Sequence, residues 1–70
     1  GGNMSCIVNA ANEIVNAGFR KGECGFLQMA DIIEKTMAKA TFDSNPDLDV
    51  YLQTDAEARR IATELMKVNG

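Results

Sequence analysis

Apolar residues in the first third of the chain recur at a helical interval. Ile7, Ala11, Ile14 and Gly18 fall at i, i+4, i+7 and i+11, and Val8, Val15 and Phe19 widen the stripe. This spacing predicts an amphipathic helix over residues 5–19. At about 100° per residue, Asn9, Asn12, Glu13 and Asn16 gather on the opposite side as a polar face. Basic residues in the last turn and Gly22 beyond it predict the C-terminal stop.

A second stripe, Met29, Ile32, Ile33, Thr36, Met37 and Ala40, predicts a helix over 28–39, with Phe26 and Leu27 plugging the core from the loop before it. The polar stretch TFDSNPD contains the only proline, Pro46, and breaks the pattern. Asp47 is placed to cap a short helix over 48–53, in which Leu48, Tyr51 and Leu52 share a face. The last helix, 55–68, opens on a capping-box pattern, Thr54-x-x-Glu57, and carries Ala58, Ile61, Ala62 and Leu65 as its apolar stripe. Asp31–Lys35, Glu57–Arg60 and Arg60–Glu64 stand at pairing distance along their helices, each contributing roughly 0.3–0.5 kcal/mol.

No alternating strand pattern competes with these helices. The fold class is therefore all-α, a small antiparallel bundle of three main helices plus one short helix. Residues 1–4, with their paired glycines, read as a linker or cut end, and 5–70 as the bundle. Asparagine is a poor helix former, costing up to roughly 0.7 kcal/mol relative to alanine. Three of them on one face suggest a compensating contact, so Asn9, Asn12, Glu13 and Asn16 are the candidate docking face. Plain solvent exposure is the alternative.

Composition narrows the partners. The chain has 70 residues, a net charge of −3 and an isoelectric point near 4.7, where nucleic acid and anionic membranes call for a basic footprint. No apolar run approaches the roughly 20 residues of a membrane span, and no signal peptide is visible; the cytoplasm is the expected compartment because two free thiols suit a reducing environment. A chain this short buries only about 60% of its unfolded surface, so a partner surface would help to stabilise it.

Candidate chemistry is thin. There is no histidine, so acid–base work would fall to carboxylates, Lys, Tyr or Cys. Asp43, Asp47 and Asp49 could be imagined around a divalent cation, but their spacing is not that of a calcium loop, and caps and solvating groups explain them. Cys6 and Cys24 are too few for a disulfide scaffold or a zinc site and read as free thiols, with a bridge between them as the alternative. The GECGF segment lacks the spacing and the strand of a phosphate loop. Arg59 and Arg60 could grip an anion, although acidic residues at helical spacing offer nearer partners. No catalytic, cofactor-binding or metal-binding residue emerges.

Four stretches carry a family resemblance: GGNMSCIVNAANE, GFL, IIEKTM and DAEARRIA. In this order, and over nearly the whole chain, they resemble the C-terminal end of the 1-deoxy-D-xylulose 5-phosphate reductoisomerases. Asn9-Ala10-Ala11-Asn12-Glu13 and Asp55-Ala56-Glu57-Ala58-Arg59 are the most specific. Ser5, Gln28 and Asn16 depart from it, standing where the family often has proline, aspartate and an apolar residue.

The resemblance implies a parent enzyme that converts 1-deoxy-D-xylulose 5-phosphate to 2-C-methyl-D-erythritol 4-phosphate for isoprenoid synthesis. It uses NADPH and Mg or Mn, bound on N-terminal and central domains, and the parent is expected to be a homodimer. None of the family's catalytic motifs falls in this chain, which reads as a structural helical domain contacting the other two, inert alone and prone to weak self-association. The competing reading is an independent interaction module that holds a partner helix or peptide in a groove lined by Phe19, Phe26, Met29, Met37 and Met66.

Overall fold

The computed structural model describes residues 2–69, position 69 by its backbone alone. Three α-helices form it: α1, Met4–Arg20; α2, Phe26–Lys39; and α3, Leu48–Asn69. The all-α expectation is met. Successive helices are antiparallel, so α3 runs back alongside α1 in the same direction. Asn3 meets Thr54 near the start of the pair, Glu13 meets Arg59 further on, and Gly18 abuts Met66 towards the end.

The core lies in two adjoining clusters. Ile7, Ala10, Ala40, Ala58 and Ile61 form one, at the end where α1 begins. Ala11, Val15, Cys24, Ile32 and Ala62 form the other, and Leu65 packs against both. Ala10, Ala11, Ala58 and Ala62 are completely buried, and their size lets α1 and α3 approach closely. The predicted stripes supply the core positions, apart from Ala10 and Cys24. Phe19, expected inside, is 46% exposed.

Local hydrogen bonds set the end of α1 and the start of α2. At the C-terminus of α1, Gly22 adopts φ +76°; its N–H donates to the Phe19 carbonyl, and the Glu23 N–H to the Gly18 carbonyl at 2.8 Å. This is a Schellman motif, which realises the predicted stop. At the start of α2, Gln28 accepts the Gly25 N–H through Oε1 at 2.7 Å, while its own N–H donates to the Gly25 carbonyl. The glutamine thus supplies the reciprocal arm of a capping box, and α2 begins at Phe26 rather than at residue 28. Phe26 and Leu27 do not plug the core: on this first turn they are 73% and 87% exposed.

The separate short helix does not exist. Residues 48–53 and 55–68 belong to one helix of 22 residues. Nothing in Gln53-Thr54-Asp55 breaks the backbone, and Asp47 caps the whole element by accepting the Val50 N–H at 2.9 Å. The Thr54-x-x-Glu57 pattern therefore forms no capping box. Thr54 is buried mid-helix, with its hydroxyl accepting from Asn3, and Glu57 reaches sideways to accept the Thr41 N–H at 2.6 Å. Glu57 is consequently not paired with Arg60, whereas Arg60–Glu64 and Asp31–Lys35 form as expected, each at 3.1 Å.

Residues 2–4 are likewise no loose linker. Asn3 is completely buried. Its Nδ2 donates to the Thr41 carbonyl at 2.9 Å and to the Thr54 hydroxyl at 2.8 Å; its Oδ1 accepts the Asp43 N–H at 2.8 Å; its own N–H donates to the Asp43 carbonyl at 3.0 Å. An asparagine preceding a helix ordinarily caps it with its own side chain. This one instead ties the head of α1 to α3 and to the α2–α3 connection. Gly2 before it has φ +74°, and a Cβ there would lie 2.6 Å from the Asp43 carbonyl oxygen and 2.9 Å from the Phe42 ring. Only glycine fits that position.

Asn3→Ala leaves the Thr41 carbonyl and the Asp43 N–H without their side-chain partner. We expect a loss of about 1–3 kcal/mol. In a domain of this size that lowers the melting temperature by roughly 4–8 °C per kcal/mol, measurable by circular dichroism. A loss under about 0.5 kcal/mol, typical of an exposed site, would show that these groups simply rehydrate.

Candidate functional site

The polar side of α1 carries two hydrogen-bonded pairs. Asn9 Nδ2 donates to Glu13 Oε2 at 3.2 Å, and Asn16 Nδ2 donates to the carbonyl and the side-chain oxygen of Asn12 at 2.7 and 3.0 Å. These pairs lie one turn apart, so each amide has a neighbour of its own helix to bond. Asn9, Asn12 and Glu13 are exposed and Asn16 is half-buried. The structure therefore brings together the four residues singled out from the sequence.

Glu13 also reaches off the helix. Its Oε1 takes an N–H of Arg59 at 3.0 Å, and the Arg59 Nε donates to Asp55 at 2.8 Å. Arg59 thereby bridges α1 and α3. Its hydrogen bond to Asp55, then that to Glu13, hold the guanidinium pKa above its ordinary value, so it stays charged throughout the accessible pH range. Beside this bridge, Asn12, Glu13, Asn16, Arg20 and Arg59 line an open, shallow depression of about 440 Å³ with Ile14 and Ala17. The row can donate and accept hydrogen bonds along one helix face, which suits contact with a polar protein surface.

The other candidates are engaged locally. Asp43 accepts the Asn45 N–H and Asp47 that of Val50, each carboxylate stabilising its own turn. No group of three His, Cys, Asp or Glu gathers as a metal site among the described residues. Both cysteines are free, and Cys24 is buried. Cys6 points to the Tyr51 carbonyl at 3.7 Å; burial first, then the Asp55 charge, raises its pKa and leaves it a weak nucleophile. Of the side chains proposed to line a groove, Met29, Met37 and Met66 pack against the core, while Phe19 and Phe26 make an edge-on ring contact at 6.2 Å near its surface.

Sequence reasoning missed Asn3, Glu57 and the Glu13–Arg59 bridge. The asparagine between Gly2 and the first apolar stripe was a visible signal for the first. Nothing in sequence spacing marks the bridge, which exists only because α1 and α3 lie side by side.

Fold and polar row together define a helical-bundle domain held by cross-helix amide and carboxylate contacts. The chain belongs to the family described as the DXP reductoisomerase C-terminal domain, whose model matches residues 1–61. Relatives named 1-deoxy-D-xylulose 5-phosphate reductoisomerase include that of Bacteroides thetaiotaomicron, 61% identical over 94% of this chain, and that of Bacteroides fragilis, 59% identical over the same share. The Listeria monocytogenes enzyme of that name is 44% identical, again over 94% of the chain. In each case the match spans 17% of the relative's length. No solved structure matches the chain.

The Glu13–Arg59 bridge is solvent-exposed, so its pairwise energy should be about 0.2–1 kcal/mol. A double-mutant cycle of Glu13→Gln and Arg59→Met, followed by urea unfolding, should return that coupling at low salt and less at high salt. A coupling that salt does not weaken would mean a desolvated contact instead.

Proposed function

We propose that this chain is the C-terminal structural domain of an enzyme that converts 1-deoxy-D-xylulose 5-phosphate to 2-C-methyl-D-erythritol 4-phosphate with NADPH, in the cytoplasmic non-mevalonate route to isoprenoids. The observation that carries the reading is the family match across residues 1–61, joined to relatives of that name. In this reading the domain itself contributes no catalytic group. Its chemically versatile side chains are committed to the fold: Arg59 to two carboxylates, Asn3 to the α2–α3 connection, and Glu57 to Thr41.

The parent's cofactors do not fit the residues present. A divalent ion requires several converging oxygen ligands, and here Asp43 and Asp47 each turn to a nearby backbone N–H. A dinucleotide requires a glycine-rich turn leading from a strand into a helix, and the Gly22–Gly25 segment instead joins one helix, α1, to another, α2. NADPH and Mg or Mn therefore belong, in this proposal, to the N-terminal and central domains.

The row Asn9, Asn12, Glu13 and Asn16 is our candidate contact with those domains, with the parent acting as a homodimer. The competing reading, an independent module that binds a partner helix or peptide, is favoured by one observation: large apolar side chains stand exposed at both ends of the bundle. The family match argues for covering them within the parent. Away from it, the same surfaces should let the domain pair weakly with itself.

The isolated domain, checked for helical content, should neither oxidise NADPH in the presence of substrate nor bind the nucleotide. Turnover, or saturable heat on titration with NADPH, would refute the structural role. Sedimentation at increasing concentration should reveal reversible dimers; a strict monomer would count against self-pairing.

A further inference from the structure

Near the end of α3, the Met66 thioether sits in a notch left by the absent side chain of Gly18, a buried residue of α1. A Cβ at Gly18 would collide with the Met66 sulfur. The same notch borders Cys24, whose own Cβ lies 3.6 Å from where that atom would stand, so the two sulfur-bearing side chains adjoin. Cys24 is a free thiol, buried in the apolar cluster against which Met66 packs. The thioether therefore fastens α3 to α1 at the point where the thiol is enclosed.

The thioether can also be reached from outside. Met66 is half-buried and lines an open depression of about 380 Å³ with Gly22, Glu23, Thr63 and Lys67. A thioether is readily oxidised to its sulfoxide. Hydrogen peroxide transfers one oxygen to Sδ: the O–O bond breaks, the sulfur is oxidised by two electrons, and water leaves. The new S–O group is a strong acceptor, and burying it without a donor is costly. Donors around the notch are already engaged. The Glu23 N–H bonds the Gly18 carbonyl, the Gly22 N–H that of Phe19, the Gly25 N–H the Gln28 side chain, and the Thr63 hydroxyl the Arg59 carbonyl. Lys67 on the rim is exposed, so a bond to it or to water draws the sulfur out of the notch.

We propose that Met66 is an oxidation site whose sulfoxide releases the end of α3 from α1 and uncovers Cys24. Methionine at this position is a latch that peroxide opens and that reduction closes, since sulfoxide formation is reversible. The latch belongs to the domain itself and does not rest on the enzyme assignment above.

The test uses the full-length protein, treated with dilute hydrogen peroxide and quenched. Peptide mass reads oxygen uptake at Met66 and the rate of maleimide labelling at Cys24. Peroxide should add one oxygen to Met66 in the native protein and raise the Cys24 labelling rate about tenfold. Met66→Leu keeps an apolar side chain without an oxidisable sulfur, so its Cys24 should label at the same slow rate with or without peroxide. Methionine sulfoxide reductases acting on both epimers should return the treated wild type to its slow rate, a readout that needs no variant. A Met66 that stays unoxidised in the native protein would overturn the proposal. So would a sulfoxide that leaves Cys24 as slow as before, an equal gain in Met66→Leu, or a gain that survives reduction of Met66.

Discussion

A single buried carboxamide organises this domain. Asn3 has no contact with solvent, and its amide bonds the Thr41 carbonyl, the Thr54 hydroxyl and the Asp43 N–H, elements separated by up to 51 residues in sequence. Helices of this length are marginal on their own in water and depend on packing against one another. The packing here is built largely from alanine and contains few large buried side chains, the isoleucines at 7 and 32 being the largest. A small apolar core leaves register weakly specified. A satisfied polar group inside it restores a preference, because sliding any of the joined elements would orphan a buried donor or acceptor.

The α2–α3 connection shows what this arrangement achieves. A polar loop containing proline is normally among the mobile parts of a small protein. Here it is held from one side by Asn3 and from the other by Glu57, which takes both the N–H and the hydroxyl of Thr41. The loop thereby becomes a third wall of the end of the bundle where α1 starts, and the Phe42 ring that it carries is held in place beside Gly2. Stability and presentation of the surface have the same origin.

Legibility in the sequence divided along physical lines. Periodicity identified the buried faces of α1, α2 and the later part of α3, since burial of a stripe depends only on the 3.6-residue repeat. The stop at Gly22 was readable because a left-handed residue at that position nearly demands glycine. Local rules misled at Thr54, where a sound capping pattern occurs inside a continuous helix because Asn3 supplies the threonine with a tertiary partner. They misled again at Phe26 and Leu27, whose hydrophobicity says nothing of which way the first turn of α2 faces. The Asn9–Asn16 row was visible as a face, whereas its tie through Arg59 required knowing that α3 lies alongside.

The alanine seam between α1 and α3 has a consequence for how such a sequence can change over time. Positions 10, 11, 58 and 62 have no accessible surface, so the side chain at each is bounded from above by the gap between two backbones. Glycine would fit at each, at about 1 kcal/mol of helix propensity. Anything longer must widen the gap, which would draw Thr54 away from the asparagine opposite it. Drift at these four sites is thus coupled to a residue that none of them needs to touch, and substitutions tolerated singly on other helices would here fail together.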